Sequence, residues 1–179
     1  LCSGLDFYGC GFIAREDMTW LDLWSAPEWL CADPDEGAWR DLRQMLLRIC
    51  GRPLQVWRQI LDVDNSNLVS WDEFQNACKR VRFRGNVGGA WSHLDKDVSG
   101  AISLSEFDAP SAAILKSFKD WVMKNFGTVE FAFRSMDTDG SGALTYSELK
   151  RGCQRARWDG DVRLIFDFLN VDVSPGQRT

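Results

Sequence analysis

The 179 residues are 45% apolar and carry a formal net charge of −5, enough to bury one sizeable core or two small ones and the wrong sign for general binding to nucleic acid. A single histidine leaves no Ser/His/Asp or Cys/His constellation, so catalysis has no visible machinery and a non-enzyme is expected. No apolar run approaches the length of a membrane span, the start does not read as a signal peptide, and a chain that opens on Leu1 is expected to be a piece of something longer.

From the N-terminus, "LDFYGCGFIAREDM" sets Asp6, Gly11, Ile13 and Asp17 in a frame that recurs further on, but with Tyr8 and Cys10 where the later copies have oxygen-bearing side chains. The next stretch, "TWLDLWSAPEWLCADPDEGAW", holds Trp20, Trp24 and Trp29 and is broken by Pro27 and Pro34. It makes the connection from Asp17 to Asp62 about 14 residues longer than the one from Glu106 to Asp137. A private lid and a partner-docking segment are both open readings of it. "WRDLRQMLLRICG" then predicts a helix that stops at Gly51.

Three acidic loops follow. "LDVDNSNLVSWDEF" places Asp62, Asp64, Ser66, Ser70 and Glu73; "LDKDVSGAISLSEF" places Asp95, Asp97, Ser99, Ser103 and Glu106; "MDTDGSGALTYSEL" places Asp137, Asp139, Ser141, Thr145 and Glu148. Oxygen-bearing side chains at positions 1, 3, 5, 9 and 12, joined by the backbone carbonyl at position 7 (Leu68, Ala101, Ala143), form the donor set of a hard cation that takes six to eight oxygens, which is Ca²⁺. Gly100 and Gly142 suit the sharp turn at position 6, and Asn67 stands in for glycine there because asparagine tolerates the left-handed region. About three Ca²⁺ sites are therefore expected. Trp57 and Trp91, just ahead of their loops, should pack inside, and Val69 should face Ile102 in a short antiparallel bridge. "RGNVGGA", between the first two loops, lacks the Lys-Ser/Thr ending of a phosphate loop and reads as a flexible connection.

After the second loop, Pro110 and Ser111 predict the start of a helix with Ser111 as its cap, ending at Gly127; Thr128 caps a short incoming helix carrying Val129, Ala132, Phe133 and Met136 on one side. Cys78 and Cys153 fall where a buried small hydrophobe belongs. Without a CxxC or zinc spacing, reduced thiols in a cytosol-like compartment are expected. Lys79, Arg80, Arg82 and Arg84, echoed by Lys150, Arg151, Arg155 and Arg157, read first as complements of helix dipoles and second as a surface for an anionic partner. "LNVDVSPG" opens a fourth loop with Asn170, Asp172 and Ser174, but Pro175 at the turn position fixes the wrong φ, so this loop is not expected to bind.

Asp62 to Asp137 and Asp95 to Asn170 are both separations of 75 residues. Laying 62–100 over 137–175 matches 13 of 39 positions, among them Cys78/Cys153, Arg80/Arg155, Arg82/Arg157 and Gly85/Gly160, which ligate nothing. Metal binding cannot explain those matches; duplication of a two-loop unit can.

The loops resemble the calcium loops of the EF-hand superfamily, in calmodulin-like tandem array. That resemblance implies an all-α fold of paired helix-loop-helix hands with short two-stranded β bridges between paired loops. The expected division is a degenerate unpaired hand with its Trp-rich connection (1–38), an intact pair with a preceding helix (39–110), and a second pair with a preceding helix whose last loop is degenerate (111–179). The implied function is calcium binding by a regulatory, protein-interacting module of the cytoplasm. The alternative is a constitutive scaffold in a larger, for example cytoskeletal, assembly. Partners are expected to be proteins, a large assembly or the rest of a longer chain; the ends around Phe12, Ile13, Leu144 and Phe168 are expected to contact each other, another chain or missing parts of the same polypeptide, and neither nucleic acid nor a membrane span is expected.

Overall fold

The computed structural model describes residue 11 and residues 13–170. The described residues are mostly helical, in the order α1 (Arg15–Met18), α2 (Glu28–Cys31), α3 (Glu36–Cys50), α4 (Pro53–Val56), β1 (Leu68–Ser70), α5 (Trp71–Arg80), α6 (Val87–Leu94), β2 (Ala101–Ser103), α7 (Leu104–Phe107), α8 (Ala109–Phe126), α9 (Val129–Met136), α10 (Tyr146–Arg155) and α11 (Val162–Leu169). No helix among the described residues is long and apolar enough to cross a membrane. The incomplete frame at Asp6, Tyr8 and Cys10 and the loop residues Asp172, Ser174 and Pro175 lie outside the described residues, as does Phe12.

Two apolar clusters organise the helices. In the first, Trp39, Leu42 and Leu46 of α3 meet Trp57, Phe74, Trp91, Ile102 and Phe107, with Phe107 edge-on to Trp39 at 5.6 Å. In the second, Ile114, Leu115, Phe118 and Trp121 of α8 pack on Val122, Met136, Leu149, Trp158 and Ile165, and the Trp121 indole donates to the Ala156 carbonyl at 2.9 Å. Each helix that precedes a pair therefore lies in that pair's own core. β1 and β2 pair antiparallel with Val69 opposite Ile102, which buries both side chains at the centre of the first pair.

The duplication has a physical content beyond the loops. Arg82 and Arg157 both have positive φ, 57° and 54°, just past the ends of α5 and α10. The next residue's N–H closes the turn in each case, from Phe83 to the Cys78 carbonyl and from Trp158 to the Cys153 carbonyl, both at 2.9 Å. This is a Schellman stop with arginine in the glycine position. Cys78 and Cys153 are buried free thiols. Burial pushes them up to about 12 and about 11, so both remain protonated hydrophobes.

Two sequence expectations are corrected. The cap of α8 is Asp108, not Ser111: the Ser111 N–H and hydroxyl both donate to the Asp108 carboxylate. Pro110 sits inside the first turn, where its missing N–H costs nothing. Nor is "RGNVGGA" a flexible connection. Asn86 caps α6 by accepting from the Gly89 N–H at 2.8 Å, and Gly88 and Gly89 are buried within that helix. A Cβ on Gly88 would come within 2.9 Å of Ala32, and one on Gly89 within 2.7 Å of the Asp35 Cβ. The glycines there serve close helix approach, a demand set by distant residues.

The Trp-rich segment divides. Trp29 packs on Trp91 at 5.9 Å, lies against the Gly100 turn, and its carbonyl accepts from the Ser92 hydroxyl; this part is a private lid. Trp24 is half-exposed and Leu23 is 90% exposed.

Candidate metal centres

Each loop begins where an incoming helix runs out. α6 and α9 end conventionally, with the Asp95 N–H bonded to the Trp91 carbonyl and the Asp137 N–H to Phe133. The first incoming helix carries one more residue, which a wide π turn (Trp57–Leu61) absorbs, so that the Asp62 N–H reaches back five residues to Trp57. The extra residue explains why Trp57 and Trp91 sit at different spacings yet both lie buried behind a first-position aspartate. The Trp91 indole donates to Asp95 Oδ2 at 3.2 Å.

Within the loops the geometry repeats. The position-6 N–H donates to the first aspartate: Asn67 to Asp62 at 3.3 Å, Gly100 to Asp95 at 3.0 Å and Gly142 to Asp137 at 3.0 Å. All three residues have positive φ, 66°, 80° and 76°, so Asn67 does take the left-handed turn. The position-5 serines donate N–H to Asp64, Asp97 and Asp139 at 2.9 to 3.1 Å. Their hydroxyls donate to the position-7 carbonyls of Leu68, Ala101 and Ala143. These serine hydrogen bonds hold the Asp64, Asp97 and Asp139 carboxyls below their ordinary value. Burial pushes Asp62 up, and the Asn67 N–H offsets part of that.

At the far end of each loop the last acid has a second task. Ser70, Ser103 and Thr145 cap α5, α7 and α10, and Glu73, Glu106 and Glu148 complete reciprocal capping boxes. The glutamate that faces the loop interior thus also starts the outgoing helix. One carboxylate oxygen from each of Asp62, Asp64 and Glu73 lies within 4.8 Å of the others, and so for Asp95, Asp97 and Glu106, and for Asp137, Asp139 and Glu148.

The donor set fits Ca²⁺, and one atom argues it directly. Glu73 Oε2 is committed to Ser70, whereas Oε1 is buried with no hydrogen-bond partner, an arrangement that costs free energy unless a cation or donor satisfies it. The third loop differs. Thr138 donates both N–H and hydroxyl to Glu148 Oε1, and with Thr145 on the other oxygen the carboxyl is held down to about 2. Thr138 is a feature the ligand pattern could not signal, since position 2 carries no ligand.

Position 4 was also not legible as special. Asn65, Val98 and Gly140 all have positive φ there, 61°, 56° and 68°. For a β-branched residue this is strained. Replacing the exposed Val98 by Asn is expected to stabilise the chain by roughly 1 kcal/mol, measured by urea denaturation; a loss of stability would show that the Val98 side chain offsets its strain by packing.

Helix-loop-helix units around acidic twelve-residue loops, two of them paired through a β bridge, define a calcium-binding class. The comparisons name it. Residues 129–153, which run from α9 through the Asp137 loop into α10, match the family model described as EF hand. It is 28% identical over 171 residues to calcium-dependent protein kinase 11 of Oryza sativa subsp. japonica, an alignment covering 80% of this chain and 28% of that protein. Over 90 residues it is 30% identical to calcium-dependent protein kinase 33 of Arabidopsis thaliana, covering 49% of this chain and 16% of the kinase. The chain therefore spans less than a third of the length of the curated relatives it matches.

Proposed function

We propose that the chain is a calcium-responsive regulatory module rather than an enzyme in itself. It would hold Ca²⁺ through Asp62, Asp64, Ser66, the Leu68 carbonyl, Ser70 and Glu73, and through the corresponding residues of the loops at Asp95 and Asp137. The observation that carries the reading is the double duty of the last glutamate. Because Glu73, Glu106 and Glu148 both face the acidic cluster and cap the outgoing helix, any change in what those carboxylates hold is passed to the direction of α5, α7 and α10. Bound calcium supplies neutralisation of three carboxylates that otherwise repel. Ser66, Ser99 and Ser141 keep the loop carbonyls aligned while this happens.

Resemblance to proteins named calcium-dependent kinases supports a regulatory role, with the rest of a longer chain or a separate protein as the responding partner. Buried reduced thiols suit a cytoplasmic setting. A scaffold reading draws on a different observation: α3 and α8 already fill the core of their own units, which leaves less groove for a target. We further propose that units 39–110 and 111–179 are the functional divisions.

Calorimetric titration is expected to give three Ca²⁺ per chain, with dissociation constants on the order of 10⁻⁷ to 10⁻⁵ M. Hydrophobic-dye binding and partner capture should differ with and without chelator. Three bound ions with no change in either would favour the scaffold, and five bound ions would revive the end loops.

A further inference from the structure

We propose that α11 is a latch that docks the second EF-hand pair on the first, and that closure of this latch is thermodynamically linked to calcium binding at the Asp62 loop. The proposal rests on the reading of that loop as a calcium site.

The covalent link between the two pairs is short. α7 ends at Phe107 and α8 begins at Ala109, so Asp108 is the one residue between helices at the junction. Its carboxylate accepts from Arg43 at 2.8 Å as well as from Ser111. This makes a defined pivot.

A second set of contacts, on α11, crosses between the pairs. Asp167 on α11 lies 3.2 Å from Arg52 and 3.0 Å from Arg163, and its side chain is only 18% exposed. The Arg58 guanidinium sits over the Phe168 ring at 5.4 Å, and Phe168 packs against the first core. An aspartate in the last turn of a helix is opposed by the helix dipole, so Asp167 is held there by cations, one of them supplied by the other pair. The hand itself does not require this acid and ring. In the duplicate unit, 75 residues earlier, the equivalent positions are Ser92 and His93.

Arg52 and Arg58 bracket the incoming helix of the Asp62 loop. Arg52 is the residue from which α4 starts, and Arg58 lies in the π turn just ahead of Asp62. With the latch closed, Asp62, Asp64 and Glu73 converge and Glu73 Oε1 is uncommitted. Releasing α11 frees that helix to move relative to α5 and loosens the convergence, so closure and calcium affinity favour one another, and the coupling is reciprocal.

The test uses the full chain. The N–H groups of Asn67, Gly100 and Gly142 each donate to one loop's first aspartate, so their amide resonances report the three loops separately during calcium titration. Small-angle scattering reports docking. Arg52→Met and Asp167→Asn are each expected to weaken calcium at the Asn67 reporter by about fivefold or more while the Gly142 reporter shifts by less than about twofold, and to enlarge the particle. The double variant should lose no more than either single one. Charge alone predicts the reverse for Arg52→Met, because removing a cation near a calcium loop strengthens binding. Unchanged or tighter binding in Arg52→Met, additive losses in the double variant, or an unchanged particle size would each overturn the latch. An Asn67 reporter that ignores calcium in the unaltered chain would instead sink the assignment of the loop, and the linkage with it.

Discussion

Glu106→Gln is expected to abolish calcium binding at the Asp95 loop over the range that saturates the other two, a loss on the order of 100-fold or more in affinity. Replacing groups that merely orient a metal ligand costs about 10- to 100-fold, and Glu106 is itself the proposed position-12 ligand of its loop. The substitution isolates that role because glutamine can keep the other one. Glu106 accepts from the Ser103 N–H at 2.7 Å and from its hydroxyl, and glutamine serves equally at this place in a capping box. Folding should therefore be nearly unchanged, while Glu106→Ala should lose calcium and also about 1 kcal/mol of stability with the cap. Calorimetry giving two ions for Glu106→Gln, with an urea midpoint close to the parent's, is the expected pair of results. Three ions at parental affinity would mean that the loop frame is wrong.

The largest loss of stability is expected from Trp91→Ala. Trp91 is fully buried and touches three other aromatics, Trp71 at 5.3 Å, Phe74 at 5.4 Å and Trp29 at 5.9 Å. Truncating it removes the ring shared by α5, α6 and the Trp29 lid, at a cost of about 3 to 5 kcal/mol against a typical total of about 5 to 15 kcal/mol. Far-UV circular dichroism through an urea titration should show the first pair melting well before the second, so that a single transition separates into two. Trp91→Phe makes a narrower change. It keeps most of the packing but removes the indole donor to Asp95 Oδ2, so calcium at that loop should weaken several-fold with a smaller loss of stability. A Trp91→Ala chain that unfolds with the parent's midpoint would show that the aromatic cluster does not hold the first pair together.

Much of the fold was legible because its signals are local and repeated. Thr128 caps α9 and Gly127 stops α8 as residue type predicts, and the pairing of Val69 with Ile102 follows from loops 33 residues apart. The acids that converge in each loop were legible for the same reason, since positions along a twelve-residue turn fix their own neighbours. Where the reading failed, the deciding atoms lay elsewhere in the chain. Gly88 and Gly89 read as part of a flexible connection, and only the approach of Ala32 and Asp35 makes them helix-packing residues. Ser111 reads as a cap because serine is a favoured N-cap residue; an aspartate three residues earlier, also bonded to Arg43, takes that place.

The sequence by itself determined the three acidic loops, their spacing and the duplication, because ligand number and turn φ are demands on residues within one twelve-residue loop, and the duplication is a repeat written in the residues themselves at a 75-residue offset. Only the tertiary structure decided what the helices outside the loops do. Trp29 is a lid while its neighbour Leu23 faces solvent, α3 and α8 fill their own units, and Asp167 finds its cation on Arg52, 115 residues away. Amphipathic stripes state that a face must be buried, but what covers it depends on which other face the chain brings into reach, and that is a property of the whole fold.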